Sequence, residues 1–562
     1  MTETADSATE APARGRTNRP NLLPTAVLLA GAILAYGAVA AMALFNGQVS
    51  AEEVSYLIRS WWYTGGGLAP YTATDATAQM PFYFYLLGPW QGLFGLGLLP
   101  ARLLSLGIGL ISGALVFAIC RRLTANPLIA AAAVFIFFAT PSTVVFFATA
   151  TPAAAVSALH LAAIWWIVAR LGRPRLWATV LMGLLCTALY FFRQNMLLSV
   201  VVLVPLYIAG IGRKRWLHTG VLLATLVLAT AATLFSFPGK LGEYALRLPV
   251  ISPWLDSLGL LAPNFTLIDK GTIGSVVMGP AFERLAPLDI LDAVLLPHMG
   301  TVLLALMLLG LAGGALRVLW IAPLYFLWLI AGHYLGTLGA CANCMVTYTP
   351  YFSAVGALAA ALTLAMLAHR ARRAEAPAAP IVLVGALLAA ALNTFAPNLA
   401  TQSAYRSFPV PLMTQGRSAT EMAEIETMAR WIAGNTAERE PILLLHSLGS
   451  QRVASLPYAV FLSGRTMPAQ SLNPAASRRT VNPKLSGPAR EAVQAAIEEE
   501  SLWSEETFSR WVERDYDVIL WQHDPTLDQK AQVAAITARF DLAGTTGYRG
   551  AMISLYKRKP VQ

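Results

Sequence analysis

Charge is what this sequence lacks. Only 12% of its 562 residues are Asp, Glu, Lys or Arg, against 56% that are hydrophobic, whereas soluble domains carry about 25% charged residues. A water-soluble enzyme of this length is thereby excluded, and a polytopic membrane protein is what remains. Cysteine is scarce, at four residues. Cys120 and Cys186 fall inside apolar runs, where a thiol packs as a small hydrophobe. Cys341 and Cys344 form CANC between two runs, a spacing open to a disulfide or to two free thiols, with too few further ligands nearby for a zinc site. No repeat of solenoid length is present.

What is present is a succession of apolar runs from Asn21 to Asn398. A hydrocarbon core of about 30 Å takes about 20 residues per helix. The runs predict eleven spans, near 22–45, 100–120, 128–147, 152–170, 176–192, 195–211, 217–237, 290–313, 316–334, 348–369 and 380–398. Residues 1–21 are polar and predict a disordered cytoplasmic N-terminus. The first run is too long for a signal-peptide core and reads as a retained helix.

The net charge of +10 is concentrated in short segments between runs, including RGRTNR, CRRL, ARLGRPR, GRKRW and HRARR. That is the positive-inside distribution. It argues against a nucleic-acid partner, which would need a basic face interleaved with aromatics. It also fixes the register of the spans. If Met80 to Gly97 crossed the membrane, every later cluster would fall on the wrong side, so this segment is expected to lie in the interface. Residues 46–99, the loop 238–289 and the tail from 399 then face outward.

The stretch VSAEEVSYLIRSWW, beginning at Val49, opens the first outward loop. Val54, Leu57, Ile58, Trp61 and Trp62 recur at helical spacing and mark an apolar face, with Glu52, Tyr56 and Arg59 on the opposite one. An amphipathic helix lying on the outer leaflet is predicted, presenting Glu52. Ser50 to Glu53 also spells a capping box, which gives Glu53 a structural duty at the helix start.

The order of these parts resembles the GT-C-fold glycosyltransferases. The features are a span, two adjacent acids, the Gly-rich turn TGGGLAPY, the segment PFYFYLLGP, and a span ending in Arg121 and Arg122. Within that fold, the chain looks most like the bacterial branch that takes sugars from polyprenyl phosphate, which includes aminoarabinose, lipopolysaccharide-core and protein O-mannosyltransferases. The resemblance implies a multi-pass protein of the bacterial inner membrane, with its C-terminal domain in the periplasm. It implies transfer of a sugar from a polyprenyl-phosphate donor to a glycan, lipid or protein acceptor, with inversion, and leaves open a divalent metal. It puts Glu52 in the place of the family's Asp and Glu53 in the place of its Glu, both as catalytic candidates. The family's second acid falls on Ala153 of TATPAAAV, a departure from the pattern.

In YFFRQNMLL, Arg193 and Gln194 stand where relatives carry the cation that holds the lipid phosphate. A guanidinium suits that task because its donors meet phosphate oxygens in pairs. By the same resemblance Tyr56, Lys240, Tyr244, Arg247, His333, Asn343 and Tyr348 are candidates for binding donor or acceptor. Two rivals are a secondary transporter, which would show repeat symmetry and charges at mid-membrane depth, and a catalytically degenerate scaffold.

From about Leu399 the runs stop and acidic residues accumulate. EPILLLHSL, DYDVILWQHD and GAMISLYKRK read as strands, with helices near 421–433, 489–500 and 505–513. A small α/β domain over 399–562 is predicted.

Overall fold

The structure is a computed structural model. It describes residues 22–46, 51–237, 286–373, 417–446, 456–468 and 511–560, apart from short gaps within these ranges. The N-terminal 21 residues, the expected span 380–398, Lys240, Tyr244, Arg247, Cys341 and the expected helix 489–500 lie outside the described residues.

Helices fill the first part of the chain: α1 (Leu22–Asn46), α2 (Ala51–Gly65), α3 (Pro81–Phe94), α4 (Leu98–Thr124), α5 (Pro127–Ala139), α6 (Pro141–Phe147), α7 (Ala153–Arg170), α8 (Leu176–Phe192), α9 (Leu197–Ile211) and α10 (Arg215–Ser236). Beyond residue 286 come α11 (Thr301–Ala312), α12 (Arg317–Gly336) and α13 (Ala342–Arg373). Among the described residues six helices are long and apolar enough to cross a membrane, including α4, α7, α10 and most of α13; α5, α8 and α12 are shorter apolar helices.

Two expected spans are interrupted. The run 128–147 is divided into α5 and α6, because Pro141 starts a new helix after Thr140 in extended backbone. The run 290–313 opens with a π-helical turn, Leu291–Leu295, ahead of α11. Local chemistry explains the junction before α5: Ala125 takes a left-handed conformation after α4, and the Asn126 side chain accepts from the N–H groups of Leu128 and Ile129. α13 lies innermost, with Ala354, Ala357, Ala359, Ala360 and Ala361 buried. Small side chains let α4, α5, α7, α11 and α12 pack closely around it.

α3 has 14 residues, which span about 21 Å, less than the hydrocarbon core. It packs against α2 rather than standing in the bundle. Gly88 is where the two meet: a Cβ there would collide with Thr64 and the carbonyl of Ser60. Gln91 Nε2 adds bonds to Leu57 O at 3.1 Å and Ser60 Oγ at 2.6 Å.

α2 is helical as its pattern predicts, but its surroundings differ from the expectation. It does not present one face to solvent. Val54, Leu57 and Ile58 are buried, and so are Tyr56 and Arg59 on the face expected to be polar and exposed. The reason is a covering layer: α3 packs along α2, with Tyr56 against Tyr83 and Phe84, and the C-terminal domain and the start of α4 join the same core.

That domain contains α14 (Arg417–Asn435), β1 (Ile442–His446), α15 (Leu456–Leu462), β2 (Val518–His523), α16 (Lys530–Thr537), β3 (Phe540–Tyr548) and β4 (Ala551–Arg558). The sheet order is β1-β2-β4-β3, with β1 parallel to β2 and the other pairs antiparallel. One side of the sheet, with Leu444, Leu520 and Leu555, joins the core under α2. The other, with Leu443, Ile519 and Trp521, closes on Trp511 and Ile536. The Tyr458 hydroxyl of α15 accepts from Leu98 N at 2.9 Å and ties the domain to the first turn of α4.

Candidate functional site

Consecutive residues on a helix diverge by about 100°, and Glu52 and Glu53 accordingly face different partners. Glu53 turns inward and is fully buried. Its carboxylate receives Arg102 Nε and Nη2, both at 2.8 Å, and the backbone N–H of Ala150 at 2.8 Å. Arg102, on the first turns of α4, also reaches Leu44 O at 3.2 Å. This buried, two-pronged ion pair ties α1, α2, α4 and the turn before α7 at a single point. The capping-box reading of Glu53 depends on Ser50, which lies outside the described residues.

Glu52 turns the other way, toward the end of α8. Arg193 follows α8 in extended backbone, φ −153° and ψ 114°, and a 3-10 turn, Gln194–Met196, leads from it into α9. Leaving the helix there swings the guanidinium across to α2. Its Nη1 donates to Glu52 Oε1 at 3.2 Å and to Tyr56 Oη at 3.5 Å. The pair is only partly covered, with 20% of the Arg193 side chain and 33% of the Glu52 side chain exposed. No acceptor is described for Arg193 Nε or Nη2, so part of the fork is open to an anion.

Aromatic rings set these groups in place. Tyr56 lies edge-on to Tyr83, with ring centres 5.0 Å apart, and against Phe84 at 5.3 Å. Burial holds its phenol well above the ordinary pKa of 10.0, with the Arg193 charge acting in the opposite direction, so Tyr56 is a neutral hydroxyl and not a base. The Arg193 guanidinium carbon sits 5.6 Å from the centre of the Tyr348 ring on α13. Behind Tyr348 lies His333 of α12, 4.6 Å between ring centres, its Nδ1 2.7 Å from Leu329 O. Gln194 is half-buried at the start of the 3-10 turn. Asn343 lies in the first turn of α13, and its side chain is outside the described residues.

Five of the expected residues thus converge: Glu52, Tyr56, Arg193, Tyr348 and, one ring behind, His333. Sequence reasoning missed Arg102 and Tyr351. Arg102 carried a usable signal, a cation two residues into the predicted span 100–120 at the end where cations are otherwise rare. A buried carboxylate needs such a partner. Tyr351 is buried 6.1 Å from Tyr348 and had no signal apart from its place one helical turn on.

Beside Arg193 a cavity of about 550 Å³ opens between α3, α8 and the end of α10, lined by Phe82, Tyr85, Leu86, Phe192, Thr233 and Phe237 among others. Its walls are mostly apolar, and Phe192 in its lining directly precedes Arg193 in the chain. Among the described residues nothing is assembled for a divalent cation: both carboxylates of α2 are paired with arginine, and no group of three His, Cys, Asp or Glu comes together. Ala153, at the start of α7, is buried and offers no ligand.

No family model matches the sequence, and no curated protein matches it. By structure the chain is similar to ArnT from Cupriavidus metallidurans bound to undecaprenyl phosphate, with a TM-score of 0.54 and 15% identity over 93% of this chain and 98% of that one. Its similarity to the same protein in the apo state has a TM-score of 0.53 and 14% identity, over 94% of this chain and 98% of that one. The chain therefore has the membrane fold that its resemblance to the GT-C glycosyltransferases led one to expect.

Proposed function

We propose that the chain is a membrane glycosyltransferase that moves a sugar from a polyprenyl-phosphate donor to an envelope glycan, lipid or protein, at the membrane face where α2 lies. In a bacterial inner membrane that face is periplasmic, and the C-terminal domain lies with it. The observation that carries this reading is the half-open Arg193–Glu52 pair at 3.2 Å beside an apolar cavity of about 550 Å³.

The chemistry follows from those two groups. The donor phosphate enters from the cavity side and takes the open edge of the Arg193 fork, while the apolar walls receive the first isoprene units. Drawing the guanidinium toward the phosphate frees an oxygen of Glu52 for the acceptor hydroxyl. That hydroxyl attacks the anomeric carbon, the bond from carbon to phosphate oxygen breaks, and Glu52 takes the proton. Arg193 stabilises the charge gathering on the departing phosphate. Glu53 holds α2 in place from behind. The binding of undecaprenyl phosphate by ArnT from Cupriavidus metallidurans, which is similar in fold, supports a lipid-phosphate ligand here.

The test uses the full-length protein in liposomes, supplied with polyprenyl-phosphate sugars of several kinds and with membrane glycolipid acceptors. Release of polyprenyl phosphate that disappears in Glu52→Gln and Arg193→Ala supports the reading. Release that persists in both variants, or polyprenyl phosphate binding indifferent to Arg193, overturns it.

A further inference from the structure

A second concentration of arginine lies at the far end of the same helices. α7 starts beside the turn that bonds Glu53 and finishes at Arg170, while α8 runs back from Leu176 to Arg193. At about 1.5 Å per residue, Arg170 is about 25 Å from the level of Glu52. Residues 76–242 contain no Asp or Glu at all, and most of their cations fall at this end, at 121–122, 170–175 and 213–215.

Arg170 is held in a corner of two indoles. Its guanidinium carbon lies 4.6 Å from the centre of the Trp166 ring and 4.7 Å from that of Trp177, and the rings meet at 66°. Trp166 is itself fixed by donating to Ala178 O at 2.8 Å. Cation–π contact uses the faces of the guanidinium and leaves its in-plane donors unused. No hydrogen bond or ion pair to them is described. Arg122 Nε donates to Val168 O at 3.0 Å, which brings a second cation to the end of α7.

The base of the corner is rigid. Thr179 joins His218 at 2.6 Å and Tyr207 at 3.0 Å, and Gly172 N donates to Gly210 O at 3.0 Å, linking α7, α8, α9 and α10. On the outside, Trp177 and Trp216 are exposed in the first turns of α8 and α10, the position of an interfacial aromatic belt. Exposed Val180 and Leu184 continue from Trp177 along α8, and Leu223 and Val227 from Trp216 along α10.

We propose that this corner seats the phosphate of an anionic phospholipid from the leaflet opposite the Glu52–Arg193 site. The in-plane donors of Arg170 take the phosphate oxygens, and the exposed faces of α8 and α10 take the acyl chains. Residues 76–242 supply no carboxylate to compete for these cations. Charge, donor geometry and depth all match a lipid headgroup at an interface.

Native mass spectrometry of the full-length protein released from mixed phosphatidylcholine and phosphatidylglycerol nanodiscs reads the site directly. Wild type should retain phosphatidylglycerol at least about tenfold better than Arg170→Gln, the factor expected for losing a hydrogen bond to a charged group. Arg170→Lys should fall between them, and Trp177→Leu, at an exposed position that folding tolerates, should also weaken retention. Arg121→Gln, which removes an exposed cation at the same membrane face, should retain wild-type binding. The proposal is overturned if Arg170→Gln and Trp177→Leu both bind like wild type. It is overturned equally if Arg121→Gln loses as much as Arg170→Gln, which would mean diffuse surface charge. Displacement of the lipid by millimolar inorganic phosphate would mean a free-anion site instead.

Discussion

At the scale of single residues, two neighbouring glutamates divide between them what a catalytic face needs. Glu52 is half-open and meets one donor of Arg193; Glu53 is sealed and meets two donors of Arg102 and a backbone N–H. Their replacement by glutamine should therefore fail in different ways. Glu52→Gln should cut sugar transfer by about 10²- to 10⁴-fold with an unchanged melting profile in detergent. Glu53→Gln leaves Arg102 buried against a neutral amide, and breaking a buried pair costs about 3–5 kcal/mol. Its thermal unfolding in detergent should move well below wild type, and a wild-type melting curve would refute the structural role. At Arg193, replacement by Lys should keep part of the donor affinity that Ala loses, because a point charge still attracts phosphate without the paired geometry. Titration of donor against initial rate separates these outcomes.

Whole elements show where sequence was informative and where it was silent. The helical spacing of Val54, Leu57, Ile58, Trp61 and Trp62 specified α2, and Tyr56 and Arg59 fell on its opposite face as expected. What buries that face was invisible: Tyr56 packs on Tyr83 and Phe84 of α3, and the core they share is completed by α15, some 400 positions further on. Arg193 was legible because the spans on either side of it were. A buried acid such as Glu53 needs a partner, but the sequence does not say that it is Arg102. In the C-terminal domain β1, β2 and β4 were legible as apolar runs. β3 was not: FDLAGTTGY has two glycines, is largely exposed along its length, and bulges between Leu542 and Gly544. Such an edge strand takes its conformation from its partner. The contact of α2 with α3 allows a test at this scale. Gly88→Val forces side-chain atoms into Thr64 and the Ser60 carbonyl, and overpacking of this kind costs about 1–3 kcal/mol. Faster hydrogen exchange in α2 and α3, with α7 and α13 unaffected, is the expected result.

For the molecule as a whole, the C-terminal domain and the bundle are joined by a shared core rather than by a linker alone. Val54 and Leu57 of α2, Phe84 and Leu87 of α3, and Leu456 and Val460 of α15 belong to one apolar cluster. A chain ending at residue 398 should keep α4, α7 and α13 protected while α2 and α3 exchange freely; full protection of α2 in that chain would show that the domain is dispensable to it. The bond from Leu98 N to Tyr458 Oη closes over 360 residues of sequence. At synthesis rates of about 5–20 residues per second, roughly 20 to 70 s separate the appearance of its two ends. For that interval the nascent helix α2 has no lid, and its apolar stripe and paired tryptophans suit it to wait at the bilayer surface. The amphipathic pattern read from the sequence thus describes the helix as it is born, and the structure describes it after the last third of the chain has arrived.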